Sequence, residues 1–195
     1  MFTGIITSIG RIKNVTPKGD HRLKVFTDFN AEKMSIGSSI ACSGVCLTVV
    51  ETGNDWFSVS VSQETLSKTT IKEWTDNTQI NLERSLKFGD EMGGHIVSGH
   101  IDGIGLLENK KIDGESIVLR FEVPESLKHL IAKKGSIAID GVSLTVNNIS
   151  GTLFSVNIIQ YTCNNTTLGS LMVGDPVNIE IDTLARYVAK YLEQD

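Results

Sequence analysis

Apolar and small polar residues alternate in FSVSVS (57–62) and again in VSLTV (142–146). Successive side chains of an extended strand point to opposite faces, so this period of two predicts half-buried β-strands. β-Branched residues are frequent, and helical spacing is absent from most of the chain. Asp140-Gly141 lies between two alternating runs, a strong signal for a two-residue hairpin. Many short strands separated by Gly, Asn and Asp turns predict a small closed, or nearly closed, antiparallel barrel. Helical patterning is confined to a few places. ESLKHLIAKK (125–134), following Pro124, reads as a short helix, and NAEKM (30–34) as its partner. The one clear longer helix is the last, TLARYVAKYLEQ (183–194), with Leu184, Val188 and Leu192 on one face. It is too short to be stable alone, so it must pack on its own barrel or on another subunit.

The alternating pattern occurs twice. Residues 40–49 read IACSGVCLTV and residues 137–146 read IAIDGVSLTV. At an offset of 97, Ser39–Ile71 aligns with Ser136–Leu168 without a gap, and 15 of the 33 positions are identical. Among them are Gly44/Gly141, Phe57/Phe154, Gln63/Gln160, Thr65/Thr162 and Thr69-Thr70/Thr166-Thr167. The match continues weakly to Asn81/Asn178 and Glu83/Glu180. At an offset of 95, TGIITSIG (3–10) lies over SGHIDGIG (98–105). The chain is therefore two copies of a module of about 85 to 90 residues, joined through KFGDEMGG, and a period that long means duplicated domains. The expected division is 1–92, 93–182 and a C-terminal helix in 183–195.

The hairpin geometry sorts side chains by face. Around Asp140-Gly141, Ile139 opposes Val142, Ala138 opposes Ser143, Ile137 opposes Leu144, and Ser136 opposes Thr145. One face is apolar core. The other, Ser136, Ala138, Ser143 and Thr145, is small and mostly hydroxylated. The first copy repeats the split with Ser39, Ala41, Cys46 and Thr48. Wet strand faces usually carry Lys, Glu or Arg; a small polar face leaves room for a flat polar molecule. A hairpin half-covered by a neighbour would look the same, but the recurrence favours two related binding sites. Their reactive groups differ. Cys46 becomes Ser143, and Ile5 becomes His100. Similar pockets with unlike chemistry suit a reaction between two molecules of one compound, and holding both removes much of the entropic barrier.

Composition narrows the partners. With 40% hydrophobic and 21% charged residues in 195, the chain is an ordinary globular protein. A net charge of −5 and no basic stripe argue against nucleic acid. No apolar run is long enough to span a membrane, and MFTGIITSIG lacks the charged start of a signal peptide. Three cysteines form no evident disulfide framework, so a cytoplasmic location is expected. Cys42, opposite Val45, and Cys163 read as packing residues. The five-residue His95–His100 spacing and the cysteine spacing do not form a metal pattern. The twin Thr-Thr pairs read as turn or strand features.

MFTGI at the start, GGHIVSGHIDG (93–103), and the twin hairpins SGVCLTV and DGVSLTV together resemble the riboflavin synthase family over the whole chain. The resemblance implies an all-β fold of two tandem six-stranded, Greek-key-like antiparallel barrels plus a C-terminal α-helix, assembled as a homotrimer. It implies a transferase that joins two molecules of 6,7-dimethyl-8-ribityllumazine by four-carbon transfer. The products are riboflavin and 5-amino-6-ribitylaminouracil, made without a cofactor in the last step of riboflavin biosynthesis. The active site would lie between the N-terminal barrel of one subunit and the C-terminal barrel of the next, and lumazine synthase is a candidate partner.

By position, the first pocket would use Gly4, Ile5 and Ile6, then Cys46, Leu47 and Thr48, then Ser60, Val61, Ser62, Gln63, Glu64 and Thr65, with Ser39 and Ala41 beneath the ring. The second would use Gly99, His100 and Ile101, Lys134, then Ser143, Leu144 and Thr145, and Ile159, Gln160, Tyr161 and Thr162. Gln160-Tyr161 departs from the Pro-Glu usual in the family. His100, Cys46, Ser143 and Thr145 are the catalytic candidates. The lumazine 7-methyl group is a carbon acid because the ring delocalises the carbanion. His100 is the preferred base, imidazole being the side chain that titrates near neutral pH. Cys46 would add to the acceptor ring or polarise it. The rival class is a non-catalytic binder, like the antenna proteins of luminous bacteria. Those relatives have eroded GGH…SGH segments and second pockets, whereas both are intact here.

Overall fold

The computed structural model describes residues 1–16 and 21–193. Twelve strands form two closed six-stranded barrels. The first contains β1 (Ser8–Thr16), β2 (His21–Phe26), β3 (Ser39–Cys42), β4 (Val45–Thr52), β5 (Trp56–Val61) and β6 (Gln79–Arg84). Its order around the barrel is β1-β2-β5-β4-β3-β6, with β6 closing on β1. The second contains β7 (Gly103–Asp113), β8 (Ser116–Glu122), β9 (Ser136–Ile139), β10 (Val142–Ser150), β11 (Leu153–Ile159) and β12 (Pro176–Ile181). Its order repeats the first strand for strand. All pairings are antiparallel, and the jumps from β2 to β5 and from β3 to β6 make each barrel a Greek key.

Closing six short strands requires sharp bends. Register shifts supply them at matching places: Ile12/Asn14 in β1 and Leu107/Asn109 in β7, Val49/Glu51 in β4 and Val146/Asn148 in β10. Inward-facing residues of each barrel form its core. Val25, Ile40, Val49, Phe57, Val59 and Leu82 fill the first; Leu119, Phe121, Val156, Ile158, Val177 and Ile179 fill the second. Truncating Phe57 to Ala would cost about 3–5 kcal/mol, the usual penalty for emptying a packed aromatic site.

The hairpin register agrees with the sequence reading pair for pair, including Ala41↔Cys46, Ser39↔Thr48 and Ala138↔Ser143. Both tips are two-residue turns with positive φ at each position, 42° and 82° at Ser43-Gly44 and 45° and 80° at Asp140-Gly141. Cys42 is buried in the first core, where burial pushes its thiol pKa up. Residues 31–33 and 125–130 form 3-10 turns, shorter than the expected helices. Two six-residue helices were not expected: α1 (Gln63–Lys68) and α2 (Gln160–Asn165). Six residues are too few to display a helical period. Thr69 and Thr166 cap the 3-10 turns that follow, accepting from the amides of Ile71 and Leu168. The terminal helix α3 spans Thr183–Leu192; the expected Gln194 lies outside the described residues.

A pseudo-twofold seam joins the barrels. The hairpin tips meet there: a Cβ on Gly44 would lie 2.7 Å from Gly141 N, and one on Gly141 would lie 2.8 Å from Gly44 N. Asn81 donates to the Asp140 carbonyl at 2.9 Å and accepts from Thr167 N at 2.8 Å. Asn178 mirrors it, donating to the Ser43 carbonyl at 2.9 Å and accepting from Thr70 N at 2.9 Å. Both asparagines are fully buried, so losing either side chain would strand a buried donor and a buried acceptor.

Candidate active site

The two entry segments cross the seam, and this overturns the expected grouping of residues. The family resemblance, carried over by position, placed Gly4, Ile5 and Ile6 in the Cys46 pocket, and Gly99, His100 and Ile101 in the Ser143 pocket. Instead, Ser143 N donates to the Gly4 carbonyl at 2.8 Å, and Cys46 N donates to the Gly99 carbonyl at 2.9 Å. Ile6 packs on the second core and Ile101 on the first. The close backbone approach requires glycine at both points. A Cβ on Gly4 would lie 2.7 Å from Ser143 N, and one on Gly99 would lie 2.9 Å from Cys46 N, at φ of 78° and 84°.

Two buried carboxylates hold these segments. Glu83 accepts from Thr3 N at 2.6 Å, Thr3 Oγ1 at 2.8 Å and Gly4 N at 2.9 Å. Glu180 accepts from Ser98 N at 2.7 Å, Ser98 Oγ at 2.6 Å and Gly99 N at 2.8 Å. Burial pushes the Glu83 pKa up, against the hydrogen bonds from Thr3, Gly4 and Ile5. Neither glutamate was singled out as a site residue; their only trace is an isolated match late in the repeat. On a lone barrel, Asn81 and Glu83 would occupy the wet face of β6. The second barrel makes that face an interior.

One consequence is a cleft of about 220 Å³ lined by Val45, Cys46, Glu64, Thr65, Lys68, Thr69, Gly99, His100 and Ile101. Cys46 and His100, candidates assigned to different pockets, share it. Ser62 caps α1, accepting from Thr65 N at 3.1 Å, and thereby orients the helix start beside this cleft. Ile159 replaces that cap before α2 and is 61% exposed; Gln160 and Tyr161 are exposed too. Ser60, Ser39, Thr65, Thr162 and Ser143 are half-buried, and Thr48, Thr145, Ser62, Gln63 and Glu64 are exposed. Ile5 is 47% exposed and faces a separate groove with Phe29, Glu83 and Gly93.

Three expected contact side chains are not available. Leu47 and Val61 point into the first core, because on their strands they belong to the inward set. Ala41 is 2% exposed, covered by Phe2, Val97 and Ala138 where the seam closes over the hairpin bases. Leu144 also leans on the second core. Lys134 is exposed and sits at φ 68°, where the first copy has Gly37 at 87°. A lysine held in the left-handed region costs about 1–2 kcal/mol that a glycine avoids.

His95 was passed over in sequence, yet its Nδ1 lies 2.6 Å from Ser143 Oγ. Its ring is half-buried, and burial lowers its pKa, against the opposing pull of Asp182 and Glu180. The available signal was its placement after Gly93-Gly94 in the same segment as His100. Among the described residues, no group of three or more His, Cys, Asp or Glu side chains is arranged to hold a metal ion.

α3 leaves Leu184, Tyr187, Val188, Tyr191 and Leu192 60–72% exposed. It is fixed to the barrel by Arg186, which donates to Asp102 Oδ1 at 2.9 Å and Oδ2 at 2.8 Å; Asp102 Oδ2 also accepts from Ile181 N. No helix among the described residues is long and apolar enough to cross a membrane.

Comparison with known proteins gives a consistent picture. A family model described as "Lumazine binding domain" matches twice, at residues 3–85 and 98–182. Riboflavin synthase of Brucella abortus (strain 2308) is 48% identical, covering 97% of both chains. Riboflavin synthase of Photobacterium phosphoreum is 39% identical, covering 100% of this chain and 90% of that one. Among solved structures, LumP complexed with 6,7-dimethyl-8-(1'-D-ribityl) lumazine superposes with a TM-score of 0.83 at 26% identity, covering 93% of this chain and 99% of the other.

Proposed function

This chain belongs to the riboflavin synthase family, and we propose that its two halves, 1–92 and 93–182, each hold one 6,7-dimethyl-8-ribityllumazine, with 183–195 serving assembly. One molecule donates a four-carbon unit to the other, giving riboflavin and 5-amino-6-ribitylaminouracil, a transferase reaction. The observation that carries this reading is the pair of crossed junctions built on one plan with unlike reactive groups: Cys46 with His100 in one cleft, and Ser143 hydrogen-bonded to His95 at the other. A binder would need no such asymmetry.

His100 removes or relays a proton of the 7-methyl group, a contribution worth about 10²- to 10⁴-fold in rate. Cys46 adds to the acceptor ring or polarises it. Ser143, Thr145, Thr48 and Thr65 bind ring heteroatoms or ribityl hydroxyls, and the strained backbone at Lys134 supports a binding role for its ammonium.

The cleft beside Cys46, at about 220 Å³, is below the roughly 300–1,000 Å³ of typical small-molecule pockets. That shortfall supports completion of the site by a neighbouring subunit. The exposed apolar stripe of α3 supports a homotrimer assembled through these helices. Free Cys42, Cys46 and Cys163 support a reducing, cytoplasmic location.

Incubating purified protein with lumazine alone and following riboflavin fluorescence tests the proposal. Riboflavin should accumulate without added cofactor. Tight uptake of lumazine with no conversion would refute it in favour of a carrier. Cys46→Ser separates the two thiol roles: a nucleophilic thiol predicts at least a tenfold fall in turnover, and unchanged turnover makes water the nucleophile.

A further inference from the structure

We propose that His95 is a positioning residue of the second pocket, its imidazole fixing the Ser143 hydroxyl towards bound substrate, so that GGHIVSGH supplies one imidazole to each pocket. This rests on the placement of Ser143 in that pocket. Three observations carry it.

First, among the described residues the Ser143 hydroxyl is engaged by the His95 ring, Nδ1 to Oγ at 2.6 Å. Second, both partners are pinned to the same anchored stretch. His95 N donates to the Thr3 carbonyl at 3.1 Å, Ser143 N donates to the Gly4 carbonyl at 2.8 Å, and Thr3 and Gly4 are clamped by Glu83. Gly94 lets the ring come in, since a Cβ there would run into the Thr3 carbonyl and lie 3.0 Å from Ser143 Oγ. Third, Phe2 and Val97 exchange backbone hydrogen bonds at the seam, and Val97 is 1% exposed. The segment thus passes through the interface: His95 leaves on the Ser143 side, and His100 leaves on the Cys46 side.

A serine hydroxyl is a free rotor with three staggered positions. Tied to a neutral imidazole, it presents a defined lone pair or proton. His95 Nε2 is buried and has no partner among the described residues.

Steady-state kinetics of His95→Ala, His95→Asn, His95→Gln, Ser143→Ala and the His95→Ala/Ser143→Ala double variant test the dyad. His95→Ala should lower kcat about tenfold with little change in KM, roughly one hydrogen bond's worth. His95→Asn, whose amide can replace Nδ1, should recover most of the loss, whereas His95→Gln, which mimics Nε2, should not. The double variant should be no slower than Ser143→Ala. A double variant about tenfold slower than Ser143→Ala, or an Asn variant as slow as Gln, overturns the dyad and leaves Ser143 in place. Ser143→Ala with wild-type kinetics overturns the placement of Ser143, and the dyad with it. Should His95→Ala fail to fold, the Asn and Gln variants carry the same comparison.

Discussion

Replacing Asp140 by Asn should flatten the pH dependence of stability. Asp140 sits at a hairpin tip on the seam, 7% exposed, and among the described residues its carboxylate accepts one hydrogen bond, from Asn178 N to Oδ1 at 2.8 Å. Desolvation outweighs that bond and pushes its pKa up to about 7. A carboxyl whose folded-state pKa is raised keeps its proton in the native state after the unfolded chain has lost its own. Stability from this group is therefore present at low pH and disappears as pH rises from about 4 to about 7. At about 1.4 kcal/mol per pH unit, the full interval is worth on the order of 4 kcal/mol, and the part between pH 5 and 7 about 3 kcal/mol. Asparagine keeps the Oδ1 acceptor, tolerates the left-handed turn position, and stays neutral. Urea unfolding at pH 5 and pH 8 gives the readout. Wild type should lose about 3 kcal/mol more than Asp140→Asn over that range, and Glu83 contributes equally to both. Parallel stability curves for the two proteins would refute the argument, showing that the seam solvates the charged carboxylate.

Two further predictions concern the crossing segment and the terminal helix. Gly99→Ala places a methyl against the backbone of Cys46 at a φ of 84°, so stability should fall by about 2 kcal/mol or more. Turnover should collapse because His100 follows directly; a thermal melt and a fluorescence assay decide it, and an unchanged pair of values would sink the crossing geometry. Arg186→Ala breaks a partly exposed ion pair worth about 1 kcal/mol and frees α3 from Asp102. If the chain assembles through α3 as proposed, light scattering should then show a smaller or concentration-dependent oligomer, and an unaltered mass would refute a role for this ion pair in assembly.

The hairpins were legible in sequence because their information is local. A Gly-containing two-residue turn fixes the register, and a period of two sorts Ile137, Ile139 and Val142 from Ala138 and Ser143. The duplication was legible for the same reason: equivalent hairpins kept 15 of 33 letters in register. What the sequence concealed was the neighbour. Nothing local shows that β6 and β12 are covered on both faces, so buried Asn81, Glu83, Asn178 and Glu180 left only a weak repeat match as their trace. Nor does a repeat alignment show a segment crossing to the other copy; it assigns Gly4 and Gly99 to their own barrels by default. His95 was missed because its partner, Ser143, lies 48 residues away on the hairpin of the second barrel.

The crossing of Gly4 and Gly99 bears on ancestry. The first half expressed alone has no Ser143 hairpin to receive its Gly4 segment and no Gly99 segment to seal its own Cys46. Only a twin can supply both, so the unduplicated ancestor would have worked as an exchanged pair. Within one polypeptide each junction is unique, so Cys46 can stand at one and Ser143 at the other, with Ile5 and His100 differing in the same way.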